Sequence, residues 1–170
     1  SVLVFGGVHV TDRSVESLEE CPEGDFVIRR EGEETIVELI EALKAGKSDL
    51  SKIKGLTWRK DARTTIVNPD RDLFKNLDEF PVGLFGDLDL SRYKPHPTQY
   101  IRLPTYPIVT QRGCPYPCTF CEAATTLGKQ LRVFSCKRVI EELKILKYEN
   151  AAAGVYFQDS TFTMNRRYVV

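Results

Sequence analysis

The stretch "TQRGCPYPCTFCEAAT", Thr110–Thr125, holds three of the chain's five cysteines within eight residues. Cys114, Cys118 and Cys121 follow C-x3-C-x2-C directly after a β-type run, for which a strand over Pro107–Thr110 is expected. A loop of this kind can curl so that its three thiolates converge on one centre. Pro115 and Pro117 restrict the unfolded loop and favour extended, non-helical backbone. Gly113 leaves room for close backbone approach. Three thiolates fall one short of the closed four-ligand set of a structural zinc site. They also fall one short of the four cysteines that usually hold a 4Fe–4S cluster. A cluster held by three cysteines leaves one iron open to a small-molecule ligand. The alternatives are zinc completed by a distant Cys136, His96 or His9, and three packed cysteines with no metal. Against packing, Arg112–Pro117 shows no apolar period that would bury the thiols.

Outward from the loop, the chain reads as alternating elements. After it, "SCKRVIEELKILKYENAAAG" places Cys136, Val139, Ile140, Leu143 and Leu146 on one helical stripe, with Ser135 as N-cap. "GVYFQD" (Gly154–Asp159) follows as a buried strand, so strand, loop, helix and strand form a βαβ unit with parallel strands. The closing "NRRYVV" reads as the opening of a helix. Before the loop, Val2–Phe5 is a buried-type strand running into a Gly6-Gly7 turn, and "DFVIRR" (Asp25–Arg30) is a second strand. "EGEETIVELIEALKAG" sets Ile36, Val37, Leu39, Ile40 and Leu43 on one helical face, with Glu31 and Glu33 as charges at its start and Gly46 as its cap. "IKGLTWRKDARTTIVNP" reads as a hairpin turning at Lys60–Arg63, with Trp58 as hairpin packing. Residues 69–98 show no sustained period and read as a linker. Cys21 and Cys136 read as buried small hydrophobes. The implied domains are 1–50, 51–98 (hairpin and linker) and 99–170.

Bulk composition sets the class. With 42% hydrophobic and 28% charged residues over 170, the chain is globular rather than disordered. Lys plus Arg equals Asp plus Glu at 24 each, which removes any general electrostatic pull toward nucleic acid or acidic membranes. No apolar run is long enough to span a bilayer, and the first residues lack a basic signal-peptide region. A cytoplasmic, reducing setting is expected, where clustered cysteines serve metal or redox chemistry.

The C-x3-C-x2-C motif, with Phe120 just before its last cysteine, resembles the signature of radical S-adenosylmethionine enzymes. "GKQLRVFS", the following helix and "FQDSTFTMN" are similar to the branch that carries a cobalamin-binding domain ahead of its (β/α) barrel. Upstream, "VLVFGGVHVT" resembles the Gly-Gly-x-His segment of that domain, "RREGEET" its acidic Gly turn, and "LDEFP" the linker to the barrel. The chain departs from the family at Val8, usually Pro, and at Gln111, usually Ser. The resemblance implies an α/β fold: the last part of a Rossmann-like cobalamin-binding domain, a linker with a β-hairpin, and the first βαβ unit of the barrel. It implies that the chain is an internal piece of a longer enzyme, inactive alone.

By the same resemblance, Cys114, Cys118 and Cys121 hold a 4Fe–4S cluster whose open iron chelates S-adenosylmethionine. One electron then splits the sulfonium and yields a 5′-deoxyadenosyl radical. Phe120 and Asp159 are implied contacts to S-adenosylmethionine, with helix capping as the other reading of Asp159. Gly6, Gly7 and His9 are implied contacts to cobalamin, with a tight turn and a loop histidine as their other readings. Methyl transfer or cyclisation would follow on a small-molecule, lipid or tetrapyrrole-like substrate, with flavodoxin or ferredoxin as electron donor. A cobalamin-independent methylthiotransferase-like enzyme and a zinc-stabilised, non-catalytic module are the competing readings.

Overall fold

Two short apolar runs near the start of the chain pair in parallel: Val4–Phe5 (β1) lies beside Phe26–Ile28 (β2), with Val4 opposite Phe26. The computed structural model of the protein describes residues 2–82 and 88–169. The part of the expected linker at 83–87 lies outside the described residues. Two units emerge, one containing residues up to Phe74 with Cys118–Leu127, the other Lys75–Pro117 with Gly128 onward.

In the first unit, β1 is joined to β2 through two short helices, Val8–Asp12 (α1) and Ser14–Glu20 (α2). Neither is evident in the sequence, because Leu18 is the only large apolar side chain they bury. β1 itself is only half-buried, against the buried strand expected at Val2–Phe5. Leu56–Asp61 (β3) pairs antiparallel with β2, and Thr64–Val67 (β4) pairs antiparallel with β3. The hairpin therefore completes a mixed sheet in the order β1-β2-β3-β4, whereas the sequence reading set it apart with the linker. Arg29 shows why the pairing holds. Its buried guanidinium donates to the Leu56 carbonyl, the Thr57 hydroxyl, the Asn68 carbonyl and Asp70. One fork thus ties the end of β2 to both arms of the hairpin, a geometry that a lysine could not supply.

Glu33–Lys44 (α3) covers this sheet with Thr35, Leu39 and Ala42, and Ile36 packs partly against the same core. Val37 and Ile40 stay 53% and 43% exposed. The helical period is as the sequence implies, but its phase differs, because the sheet covers a narrower stripe than the apolar residues span. Gly46, at φ +64°, ends the helix: its N–H donates to the Leu43 carbonyl and the Lys47 N–H to the Ala42 carbonyl. Glu31, expected to charge the helix start, is instead buried and accepts the Phe74 N–H.

In the second unit, Thr105–Ile108 (β5) and Gly154–Phe157 (β8) run parallel, with Tyr106 opposite Val155. Cys136–Tyr148 (α5) lies in the connection between them. The Ser135 hydroxyl accepts the Arg138 N–H at its start, as an N-cap should. Burial along α5 falls on Arg138 and Leu146; Ile140 is exposed and so is Cys136, contrary to its reading as a small core residue. β8 is half-buried rather than buried. Gln111–Arg112 (β6) and Arg132–Val133 (β7) make a small antiparallel pair around the cysteine loop, and Arg166–Val169 (α6) is a single turn. Part of the linker is packed into this unit. Leu77 is fully buried, Asp78 accepts the Ser135 N–H, and the Pro81 carbonyl accepts from Arg138. No helix among the described residues is long and apolar enough to cross a membrane.

Asn68 is the polar keystone of the first unit's core. Its amide nitrogen donates to the Leu50 and Ile53 carbonyls, and its oxygen accepts the Trp58 indole N–H. Asn68→Ala should cost about 3 kcal/mol or more, since it orphans three buried groups. Asn68→Asp keeps the indole bond but sets an acceptor against two carbonyls. Its carboxyl pKa should therefore be raised on folding, so the variant's deficit should be small below about pH 4 and grow as pH rises through the folded pKa. Urea midpoints at pH 4 and pH 7 measure both effects.

Candidate metal centre

The cysteine loop begins on a strand end that a carboxylate holds. Asp159, just beyond β8, accepts the Thr110 and Gln111 N–H groups on Oδ1 at 2.7 and 2.9 Å. Its Oδ2 accepts the Thr110 hydroxyl at 2.6 Å. These are charge-assisted bonds to residues that are 1% and 3% exposed. The Tyr168 hydroxyl donates to the Thr110 carbonyl at 3.2 Å. Asp159, read from the sequence as a cofactor contact or helix cap, thus has both oxygens engaged by the chain four and three residues ahead of Cys114. The sequence could not show this, since the partners lie 49 residues apart.

Two residues further on, Gly113 takes φ +94°, and a Cβ there would stand 2.1 Å from the Gln130 carbonyl oxygen. Only glycine passes this point. The Cys114 N–H then donates to the Gly128 carbonyl at 3.0 Å, and Cys114 is buried at 8% exposure. The first thiol of the motif is therefore held by its backbone.

The second and third thiols belong to a different setting. Cys118 and Cys121 are exposed, and the Cys121 N–H closes a turn onto the Cys118 carbonyl at 3.2 Å. Phe120, expected beside the cofactor, is 90% exposed. Ala123–Thr126 (α4) follows, with Glu122 at its N-cap. Glu122 holds its proton above the usual carboxylate range, chiefly through a hydrogen bond with Asp12, then through desolvation and the Asp12 charge, while His9 opposes the shift. Sequence reading missed this pair, for Asp12 and Glu122 share no motif.

Gly6 and Gly7 precede α1, where an added Cβ would meet nothing within 4 Å, so space does not select glycine at either position. Gly7 needs it for its backbone, at φ +108°. The Thr11 hydroxyl donates to the Gly7 carbonyl and accepts the Arg30 N–H. A cleft of about 400 Å³ opens beside them, lined by Thr11, Asp12, Ser14, Arg30, Asp70 and Thr125 among others. His9 is exposed on α1 rather than in a loop.

Among the described residues, no three His, Cys, Asp or Glu side chains stand close enough to hold a metal ion. Of the distant fourth ligands considered, Cys136 is exposed on α5, and His96 accepts the Thr98 N–H within its own turn. All five cysteines are free. Cys114, Cys118 and Cys121 are three unbridged thiols on irregular backbone, soft donors of the type that iron–sulfur clusters take.

Thiol reactivity reports this arrangement. In metal-free protein lacking Cys21 and Cys136, a disulfide reagent should modify Cys118 and Cys121 fast and Cys114 slowly. Gly113→Ala should destabilise by about 1–3 kcal/mol and bring Cys114 to the fast rate, as its backbone is pushed off Gln130.

No protein-family model matches the chain. Over 165 residues it is 39% identical to an uncharacterised methyltransferase of Pyrococcus horikoshii, covering 97% of this chain and 34% of that protein. It is 25% identical over 169 residues to the anaerobic magnesium-protoporphyrin IX monomethyl ester cyclase of Rubrivivax gelatinosus, covering 98% and 29%. It is 26% identical over 145 residues to a cobalamin-dependent radical S-adenosylmethionine methyltransferase of Streptomyces tokunonensis, covering 84% and 21%. The chain thus spans about a third or less of the length of these relatives. The fold matches that of OxsB, a cobalamin-dependent S-adenosylmethionine radical enzyme, with a TM-score of 0.69 at 23% identity over 95% of this chain and 21% of that one. With the C-x3-C-x2-C loop standing where these likenesses run through it, the chain belongs to the radical S-adenosylmethionine superfamily, in the branch that carries a cobalamin-binding domain.

Proposed function

We propose that the protein is a radical S-adenosylmethionine enzyme in which Cys114, Cys118 and Cys121 hold one 4Fe–4S cluster, acting with cobalamin in methyl transfer or ring formation. The observation that carries this reading is the trio of free thiols on a loop whose start is fixed from three sides, in a chain whose relatives are methyltransferases and a cyclase. When bound, such a cluster supplies the electron that cleaves the sulfonium of S-adenosylmethionine, and flavodoxin or ferredoxin would serve as its source. The chain's own residues then have defined tasks. Cys114 would be the ligand whose backbone is already bound, and Cys118 and Cys121 the two whose thiols are exposed and free. Phe120, fully accessible beside Cys121, offers a flat apolar face for an adenine ring. The β5–α5–β8 unit would open the barrel, and the sheet β1–β4 with its helices would end the cobalamin domain.

Cobalamin contact is assigned to Gly6, Gly7 and His9, in the turn and helix that lead to Thr11, itself a lining residue of the cleft. The relatives named as cobalamin-dependent favour this over a methylthiotransferase-like enzyme that lacks the cofactor. A tetrapyrrole or lipid-like small molecule suits the substrate class, given the cyclase among the relatives. The cytoplasm suits the thiols.

Reconstitution with iron and sulfide under anaerobic conditions should give a brown protein with four irons. Cys114→Ala, Cys118→Ala and Cys121→Ala should each abolish the chromophore, and Cys136→Ala should keep it. In a full-length enzyme carrying this chain, the reduced protein should release 5′-deoxyadenosine from S-adenosylmethionine. A full cluster without that product would leave the motif as an electron-transfer site. For cobalamin, Gly6→Leu is the cleaner probe, since Gly6 has no positive φ and open space around it; unchanged cobalamin affinity would remove this turn from the pocket.

A further inference from the structure

We propose that Asp159 is a positioning residue for the metal ligand Cys114, acting through Thr110 and Gln111 and touching neither metal nor cofactor. The inference rests on the reading of the three cysteines as cluster ligands. Its basis is geometric. Both carboxylate oxygens are taken up by the backbone and hydroxyl of the residues that leave β5. Those residues are buried, so no water replaces a lost bond at low cost. Gln111 also donates from its side chain to the Thr161 carbonyl at 2.5 Å, two residues past Asp159. From Gln111 the chain has little freedom before the thiol. Arg112 pairs with Arg132, Gly113 is pressed against Gln130, and the Cys114 N–H is bound to Gly128. A displacement at Thr110 is therefore carried to Cys114 along the three intervening residues, each of them restrained. Partners that orient metal ligands in this way typically influence metal retention by about 10–100-fold.

Every hydrogen bond drawn to the carboxylate is one that it accepts. With one oxygen carrying two amides and the other a hydroxyl, its best directed lone pairs face the loop.

The test measures the rate at which a chelator strips iron from the reconstituted protein, in wild type and in Asp159→Asn, Thr110→Val and Thr110→Ser. Asp159→Asn turns one acceptor into a donor facing N–H or O–H groups, and should speed iron loss by about tenfold or more. Thr110→Val removes only the hydroxyl bond and should speed it severalfold. Thr110→Ser restores that bond and should return the wild-type rate, which a mere packing role of Thr110 would not produce. S-adenosylmethionine affinity should stay within about twofold in all three. Unchanged iron loss in both Asp159→Asn and Thr110→Val overturns the proposal; so does a weakened S-adenosylmethionine affinity with iron loss unchanged, which would make Asp159 a cofactor contact. If Asp159→Asn fails to fold, the Thr110 pair decides. Amide exchange in the metal-free protein separates this proposal from the reading beneath it. Protection of the Cys114 N–H should fall by about tenfold or more in Asp159→Asn, and retained protection overturns the clamp. Wild-type protein that takes up no iron would instead fail the cluster reading, while loss of that protection in the variant would still establish the clamp.

Discussion

A single carboxylate receiving two successive amides at the end of a strand decides where the cysteine loop begins. The Thr110 and Gln111 N–H groups beyond β5 belong to buried residues, and buried donors must be satisfied. Asp159 satisfies both and adds the Thr110 hydroxyl. The parallel β5–β8 pair thereby gains a polar lock at the same end of both strands. The β6–β7 pair, the squeezed Gly113 and the bound Cys114 amide continue from this point. The loop owes its start to long-range chemistry rather than to its own sequence.

The first unit uses the same device with the charges exchanged. There Arg29 directs its guanidinium donors at carbonyls, a hydroxyl and Asp70, and Asn68 bridges the strand to the loop at Leu50–Ile53. Both networks centre on buried groups (Arg29 and Asn68 in one, Thr110 and Gln111 in the other), and such networks specify one arrangement because a slip would leave those groups unpaired. The apolar core of Phe26, Ile28, Leu39, Leu56 and Trp58 supplies the driving force. The polar bonds select the register.

What the sequence made legible follows from range. The cysteine spacing, the N-cap at Ser135, the Gly46 stop and the turn of the β3–β4 hairpin are local signals, and each appears where its residues imply. The phases of α3 and α5 were less legible, because both carry more apolar residues than their one covering surface can take. Val37 and Ile40 are left outside on α3, as Cys136 and Ile140 are on α5. The hairpin's place in the sheet depends on Arg29, Asn68 and Asp70, which carry no spacing rule. The pairing of Glu122 with Asp12 and the bonds of Asp159 to Thr110 and Gln111 are contacts across long separations, invisible to any periodicity.

The order of synthesis gives the Asp159 lock one more meaning. Asp159 follows Thr110 by 49 residues, so at about 5–20 residues per second it is made roughly 2.5–10 s later. Gly128, Gln130 and Arg132, which restrain Gly113 and Cys114, are also made after the cysteines. On the ribosome, three closely spaced thiols therefore exist for seconds before the groups that hold their loop. In that interval Cys114 is as accessible as its neighbours, and mispairing or oxidation competes with folding. The finished protein shelters one of its thiols; the growing chain shelters none, so reducing conditions matter earliest, while translation is still under way.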